Sequence, residues 1–238
     1  MRNDPPGLVV FLDANVLARP VTRSLLMFSS YTSNFTVGWS RHVEQEADRR
    51  MRPGQATAQS VRERAASELT PTGTDSSRFP KTDPKDRQVL ADATAAGAVV
   101  IVTEDVDDFS EVELAASGLV AVNPDLFLAE CVSTDSYAQA VRRMAARMSR
   151  PARTPQLLHA RIGRQHPMAA TTHKAAFDVA PDAATNNPPA VLYRGDRCLR
   201  CLDSGKHMTI GVCWDCRTAG AAEPASDQTH QAEQPRRS

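Results

Sequence analysis

Three acidic residues follow the two most apolar runs of the chain. Asp13 comes directly after the run at 8–12, and Asp105 and Asp108 come shortly after the run at 98–103. Continuous apolar runs predict strands that are buried on both faces, and an open parallel sheet binds its ligands beyond the carboxyl ends of such strands. Carboxylates that meet there repel one another unless cations lie between them, and hard oxygen ligands suit Mg²⁺ or Mn²⁺. The pattern therefore predicts a divalent-cation site.

A fourth acid, Glu46, is predicted to reach the same site from a helix. Ser40 is a good N-cap for a helix over 41–51. Glu44 lies two positions before Glu46, roughly 200° around the helix axis, so the two side chains cannot both face the site. We predict that Glu46 is the ligand and that Glu44 is a surface charge. The alternative is that Glu46 is also a solvated helix charge.

A fifth acid, Asp86, is predicted to lie in the first turn of another helix. Asp83 has the form of an N-cap, Pro84 suits the first helical position, and Gly97 suits the end of the helix. Asp86 could then line the mouth of the sheet. The alternative is that Asp83 and Asp86 serve only as helix-capping charges.

Four cysteines near the end of the chain have the spacing of a structural zinc site. Two Cys-x₂-Cys pairs are separated by 11 residues: Cys198 and Cys201, then Cys213 and Cys216. The segment 197–217 is too short to build its own core, and in a reducing compartment Zn²⁺ is the staple that thiolates favour. We predict a small zinc-ribbon-like module. Both nucleic-acid contact and protein docking remain open as its role.

Charge is unevenly distributed along the chain. Lys+Arg and Asp+Glu both number 28, so net charge alone indicates no polyanionic partner, but residues 136–177 contain no acid at all. A helix over 139–150 would turn Val141, Met144 and Met148 to the core. It would expose four arginines that we predict to bind the RNA backbone: Arg142, Arg143, Arg147 and Arg150. The alternative is an ordinary solvated helix face.

The order of the predicted elements indicates an α/β fold. Strands at 8–12, 35–39, 98–103 and 119–122 alternate with helical segments, which predicts a parallel sheet flanked by helices. We divide the chain into a core domain at 7–132, a basic helical arm at 133–177, a Pro-containing linker at 178–196, the four-cysteine module at 197–217 and a disordered tail at 218–238. No apolar run approaches the length of a membrane span, and the first residues lack a secretion signal, so we expect a cytoplasmic protein.

Four segments together resemble the motifs of the PIN-domain ribonucleases, the fold of VapC-type toxins. The segments are 11–17 (FLDANVL), 39–46 (WSRHVEQE), 83–91 (DPKDRQVLA) and 101–109 (IVTEDVDDF). They occur in the order and at the spacing of the family's motifs, and the resemblance covers about 8–130. It implies a PIN-like fold and Mg²⁺- or Mn²⁺-dependent endoribonuclease activity.

The resemblance also implies roles for particular residues. Asp13, Glu46, Asp86 and Asp105 would be the catalytic metal-binding acids, and Asp108 is an alternative for the fourth ligand. The implied partners are an RNA substrate and an antitoxin protein, and we add a homodimer as an expectation. Whether the chain is a toxin or an RNA-processing enzyme stays open.

Two other functions compete with the nuclease. One is a zinc-containing RNA-binding or regulatory protein with a catalytically degenerate acidic site, which Mg²⁺- or Mn²⁺-dependent cleavage would distinguish. The other is a phosphoacceptor receiver domain, which also places an Asp after one strand and a Thr after a later one. A receiver needs an acidic pair after a still earlier strand, and the seven residues before Leu8 do not supply one.

Overall fold

The computed structural model describes residues 8–65, 67–149, 153–200, 206–207 and 211–212. It is an α/β structure with a five-stranded, mostly parallel sheet in the order β2-β1-β3-β4-β5. The strands are β1 (Leu8–Leu12), β2 (Phe35–Gly38), β3 (Val100–Val102), β4 (Val120–Val122) and β5 (Tyr193–Arg194). The first four are parallel, and β5 pairs antiparallel with β4. A separate antiparallel pair joins β6 (Lys206–His207) to β7 (Gly211–Val212).

Helices connect the strands and continue after β4. The α-helices are α1 (Ala14–Leu17), α2 (Pro20–Ser30), α3 (Arg41–Arg50), α4 (Ala58–Arg64), α5 (Arg87–Ala95), α6 (Glu111–Ala116), α7 (Pro124–Cys131), α8 (Thr134–Arg147), α9 (Pro155–Ile162) and α10 (Pro167–Thr172). Three short 3-10 helices lie at Ser76–Arg78, Val106–Asp108 and Lys174–Ala176. The predicted parallel α/β sheet is thus confirmed.

The central strands lie in the core of this helix-flanked sheet. All three residues of β3 and of β4 are buried, as the continuous apolar runs predicted. In the register, Leu12 lies opposite Val102, which in turn lies opposite Val122. The chain moves from β1 outward to β2 and then returns past β1 to β3. The direction of winding therefore reverses between β1 and β3, which is the topological switch point of the sheet.

Several predicted helix ends are confirmed. The Ser40 hydroxyl accepts a hydrogen bond from the Val43 amide at the start of α3, and Asn123 caps α7 in the same manner. Gly97 follows α5 with a φ of 63°, the left-handed conformation that favours glycine at this position. Helix α4 begins at Ala58, where the Thr57 hydroxyl caps it by accepting a hydrogen bond from the Ser60 amide.

The predicted start of α5 is wrong by one turn. The Asp83 carboxylate accepts from the Lys85 amide and the Asp83 carbonyl accepts from the Asp86 amide, so residues 83–86 form a separate turn. The α-helix begins at Arg87, and Asp86 occupies the N-cap position. Asp83 is therefore a turn residue and not the cap of this helix.

The described parts of the predicted basic helical arm, 133–149 and 153–177, pack onto the core domain. Helix α8 lies against α2, and its Val141 and Met144 are buried, as predicted for that face. The start of α10 is fixed by the Asp125 carboxylate, which accepts from the Met168 and Ala169 amides. The boundary predicted at 132 is therefore not a break in packing.

Three histidines spaced seven residues apart are buried between these helices. His166 shares a 2.8 Å hydrogen bond with the Thr22 hydroxyl, and His173 is hydrogen-bonded to the Leu128 carbonyl at 3.0 Å. The His159 ring stacks on Phe177 with 4.4 Å between centroids. Burial lowers the pKa of each of the three, that of His166 to about 4. These side chains are neutral packing elements at pH 7.

The segment predicted as a linker contributes a strand. The Asn123 amide donates to the Leu192 carbonyl at 2.8 Å, and the next two residues form β5 along β4. An edge strand of an apolar sheet leaves backbone groups to be paired, which is the physical reason for this addition. Among the described residues, no helix has both the length and the apolar character needed to cross a membrane. The predicted disordered tail, 218–238, lies outside the described residues.

Candidate active site

The acidic residues of the first and fourth motif-like segments meet at the topological switch point. Asp13 follows β1, and Thr103, Glu104 and Asp105 follow β3, the neighbouring strand. The Asp13 amide donates to the Val102 carbonyl at 3.1 Å, which carries the pairing of the two strands one residue beyond their ends. The two strand ends are thereby held side by side where an open sheet binds its ligand.

Asp13 is almost fully buried and yet lacks a cationic side chain as its hydrogen-bond partner in the described structure. Its carboxylate accepts from the Thr103 hydroxyl at 2.7 Å and from the Ala14 amide at 2.6 Å. Burial raises the pKa of Asp13 to about 6, although these two hydrogen bonds act in the opposite direction. A cation beside this buried carboxylate would stabilise its ionised form and lower the pKa of Asp13.

Asn15 and Thr103 connect Asp13 to Asp105. The Asn15 side-chain amide donates to the Thr103 hydroxyl and to the Asp105 carboxylate, both at 3.1 Å. The Asn15 side-chain oxygen, Oδ1, accepts from the Glu104 amide at 3.2 Å. The sequence alone did not indicate a role in the site for Asn15 or Thr103. The register could have indicated Thr103, because the residue after Val102 must lie beside the residue after Leu12.

The pKa of Asp86 is raised further than that of Asp13. Burial raises its pKa to about 7, and the charges of Asp13, Asp108, Asp83 and Glu46 act in the same direction, in that order. Its side chain makes no capping hydrogen bond to the described part of α5, although it occupies the N-cap position. The Asp86 carboxylate therefore does not stabilise α5 through a capping hydrogen bond, and the charges of the neighbouring acids disfavour its ionised form.

The structure separates Glu46 from Glu44. The charge of Glu46 raises the pKa of both Asp13 and Asp86, so Glu46 lies near these two carboxylates. Glu46 also pairs with Arg50 at 2.5 Å along α3. Glu44 is buried, where its carboxylate accepts from Arg62 at 2.6 Å and from the Trp39 indole at 3.2 Å. The prediction that Glu44 is a surface charge is wrong.

Asp108 joins the site from the loop after β3. Burial raises its pKa, followed by the charges of Asp105, Asp107 and Asp83, while Lys85 opposes them. Because Asp108 also acts on Asp86, the five predicted acids form one electrostatically connected group, hereafter the acidic cluster: Asp13, Glu46, Asp86, Asp105 and Asp108.

A sixth acid, Asp92, shows what a structural carboxylate looks like in this protein. It is fully buried and accepts from the Ser40 hydroxyl, from the Gly73 amide at 2.8 Å and from the Gln88 side chain at 2.6 Å. Every one of these partners is a neutral donor with a defined position. Asp92 therefore links the start of α3, helix α5 and the loop at Gly73. Unlike Asp13, it accepts hydrogen bonds from three neutral donors rather than two.

The donors of the acidic cluster fit Mg²⁺ or Mn²⁺ by their chemistry. They are carboxylate oxygens of several chain segments, and the pKa is raised for three of these acids: Asp13, Asp86 and Asp108. In the part of the chain that the structure describes, no three His, Cys, Asp or Glu side chains already stand in the arrangement of a metal site. Coordination of one ion by three of these carboxylates would therefore require side-chain movement.

Three of the four predicted RNA-binding arginines lie on the exposed face of α8. Arg142, Arg143 and Arg147 are exposed, and their guanidinium groups lie 6.0, 5.6 and 4.6 Å from the ring centroids of Phe177, Tyr31 and Phe28 respectively. Arg147 also lines a groove of about 690 Å³ between α2, α4 and α8. Arg150 lies outside the described residues. RNA binding by this face stays a prediction.

The zinc site is only partly within the described structure. Cys198 is partly buried and lies near Cys131, whose pKa is raised well above the usual value, chiefly by burial. The other predicted ligands, Cys201, Cys213 and Cys216, lie outside the described residues. The zinc-ribbon-like module therefore stays a prediction.

Comparisons with protein-family profiles, with curated proteins and with solved structures find no match. An assignment of function must therefore rest on the geometry of the acidic cluster and on the four motif-like segments.

Proposed function

We propose that this chain is a metal-dependent endoribonuclease of the PIN type, which hydrolyses RNA phosphodiester bonds at the acidic cluster. The observation that carries the proposal is the state of Asp86 and Asp13. Burial and mutual repulsion raise the pKa of Asp86 to about 7 and that of Asp13 to about 6, at the switch point of a parallel sheet. Such a group of carboxylates is unfavourable unless a cation offsets its charge.

Mg²⁺ or Mn²⁺, when bound, would activate a water molecule and stabilise the leaving oxygen of the phosphodiester. The residues of the chain have separate tasks in this proposal. Asp13 and Asp86 supply the central negative charge, Glu46 adds charge from α3, and Asp105 and Asp108 add it from the loop after β3. Thr103 and Asn15 hold Asp13 and Asp105 in place through the hydrogen bonds described above.

RNA is the substrate that the motif resemblance implies. The acidic cluster alone would repel this polyanion, so cationic groups are needed to offset its charge. The exposed arginines of α8 provide such groups on the same domain, and guanidinium groups bind phosphates by paired hydrogen bonds. Assignment as the toxin of a toxin–antitoxin pair rests on the motif resemblance alone. Growth arrest on expression, abolished by Asp86→Asn, tests that part.

The competing function is a zinc-containing RNA-binding or regulatory protein without catalysis. One observation favours it: the described side chains do not already form a three-donor metal site. This function predicts RNA binding that does not depend on Mn²⁺ and leaves the RNA intact.

The experiment is incubation of the purified protein with total RNA in Mn²⁺, in Mg²⁺ and in excess EDTA, followed by mapping of the cut ends. We expect defined cuts with either metal and none in EDTA. RNA binding without cleavage under all three conditions would contradict the proposed nuclease and favour the RNA-binding protein.

A further inference from the structure

Residues 192–200, here called the strap, run along the edge of the sheet beside β4. The strap contains β5, in which Arg194 lies opposite Ala121 of β4. Gly195 has a φ of 146°, and a Cβ atom there would stand 2.5 Å from Cγ1 of Val120. Only glycine allows this close approach of the strap to the core.

The far end of the strap is also attached to the core. The Arg197 guanidinium donates to the Gly118 carbonyl at 3.0 Å, and Arg200 donates to the Glu130 carboxylate at 2.5 Å. The first predicted zinc ligand, Cys198, lies between these two attachments. The strap therefore connects the core domain to the start of the four-cysteine module.

Arg194 reaches from the strap to residues 104–109 after β3, here called the acidic loop. Its Nη1 donates to the Phe109 carbonyl at 2.7 Å, and Phe109 directly follows Asp108. On the preceding residue, the Asp108 carbonyl accepts from the Asp83 amide at 2.8 Å. Two consecutive carbonyls of the loop are thus held, one by the strap and one by the turn that precedes α5.

We propose that Arg194 is a positioning residue for the acidic cluster, whose hydrogen bond to Phe109 holds Asp105 and Asp108 toward Asp86. This inference rests on the proposed function and extends the working site to the strap. The physical reason is that carboxylates of like charge push one another apart, so a loop that carries two of them needs a fixed attachment. Arg194 supplies a charged donor to a backbone carbonyl, a strong class of hydrogen bond.

The test compares Arg194→Gln with Arg197→Gln in the full chain. Both arginines belong to the strap and both donate to a backbone carbonyl. Among the described residues, Arg194 donates to the acidic loop, whereas Arg197 donates to Gly118. Three quantities are measured: amide hydrogen exchange of residues 104–109 without metal, the Mn²⁺ concentration that gives half of the maximal rise in melting temperature, and kcat and KM for RNA cleavage.

We expect Arg194→Gln to speed exchange at 104–109, to raise the half-saturating Mn²⁺ concentration, and to lower kcat roughly 10–100-fold with little change in KM. Arg197→Gln should match the wild type in all three quantities, even if its melting temperature is lower. Unchanged exchange in Arg194→Gln, or equal effects of the two substitutions, would overturn the positioning role.

Failure of the proposed function has a different signature. A wild-type chain that shows neither Mn²⁺-dependent stabilisation nor cleavage would overturn both the nuclease and the positioning role. A wild-type chain that shows both, together with an Arg194→Gln variant that behaves identically, would overturn the positioning role alone.

Discussion

The Asp13→Asn substitution should stabilise the metal-free protein at pH 8 even though it removes a predicted catalytic group. The folded-state pKa of Asp13 is raised from 3.8 to about 6, so its proton is bound more tightly in the folded state. A carboxyl with a raised folded pKa contributes stability below pH 4, and that contribution is lost as the pH rises from about 4 to 6. A shift of about two pKa units corresponds to about 3 kcal/mol at pH 8.

Part of this gain is offset by the lost hydrogen bond of Thr103. The new amide oxygen can still accept from the Ala14 amide, but the amide nitrogen cannot accept the Thr103 hydroxyl proton, which costs about 1 kcal/mol. The net expectation is a gain of about 1–2 kcal/mol at pH 8, or roughly 2–8 °C in melting temperature for a chain of this size. At pH 4 the gain from removing the charge is absent, because Asp13 is then protonated in the folded wild type. Asp13→Asn should then equal the wild type in stability or be less stable by up to about 1 kcal/mol.

The assay is denaturant unfolding at pH 8 and pH 4 in EDTA, with Asp92→Asn as the matched control. Asp92 is buried like Asp13 but accepts hydrogen bonds from three defined neutral donors, so its substitution should destabilise the protein by about 1–3 kcal/mol at pH 8. Addition of Mn²⁺ at about 100 times its Kd should stabilise the wild type and Asp92→Asn by about 3 kcal/mol. Asp13→Asn should gain much less.

The reasoning is refuted if Asp13→Asn destabilises the protein at pH 8 as strongly as Asp92→Asn does. Asp13 would then be a structural carboxylate with satisfied hydrogen bonds. Equal Mn²⁺-dependent stabilisation of wild type and Asp13→Asn would also exclude Asp13 as a ligand.

Four further predictions follow from the same structure. Glu46→Gln should abolish cleavage and leave stability nearly unchanged, whereas Glu44→Gln should lower the free energy of unfolding by about 1–3 kcal/mol and keep activity; parallel RNA-cleavage and unfolding assays decide between them. The stability difference between wild type and His166→Gln should fall by about 3 kcal/mol as the pH falls from 6.5 to 4, because burial lowers the pKa of His166 in the folded state; unfolding curves across this range measure it. Replacement of the three exposed α8 arginines by Gln should flatten the salt dependence of RNA binding by about one unit of log–log slope per lost phosphate contact, and an unchanged slope would return them to the solvated-face reading. A chain ending at 180 should be less stable than one ending at 200, because only the shorter chain exposes the edge of β4, and equal melting temperatures would contradict this.

The last of these predictions revises an expectation from the sequence. The sequence-based division made 178–196 a Pro-containing linker between the helical arm and the four-cysteine module. Two backbone residues in β5 and one Arg194 side chain link this segment to the sheet and to the acidic loop. A two-residue strand in a Pro-containing segment has no periodicity that a sequence pattern could display, so this part of the fold could not be predicted.

The parallel strands and the candidate site could be predicted because their signals are local. Buried parallel strands require continuous apolar runs, and the residues that follow such runs must lie at the carboxyl edge of the sheet. Asp13 and Asp105 were found in this way, and the two-position spacing of Glu44 and Glu46 put them on different sides of α3. The burial of Glu44 could not be predicted, since it depends on Arg62 of α4, which the fold alone brings near.

The start of α5 shows where local signals mislead. Asp83-Pro84 has the residue types of a helix start, but the Asp83 side chain takes the Lys85 amide and closes a turn instead. This choice moves Asp86 from the first helical turn to the N-cap position. There its carboxylate comes under the influence of Asp13 and Asp108, which makes Asp86 the most informative residue of the site.

The rate of Mn²⁺-dependent RNA cleavage by Asp86→Asn, measured beside the wild type and Asp92→Asn, tests the central claim most directly. Asn keeps the shape of Asp86 and removes its charge, and the described structure gives Asp86 no capping hydrogen bond to lose. If the acidic cluster is the metal-dependent catalytic site, Asp86→Asn should remain folded and lose at least about two orders of magnitude in rate, while a folded Asp92→Asn chain keeps measurable cleavage. Full cleavage activity in Asp86→Asn would contradict the assignment of this cluster as the catalytic site.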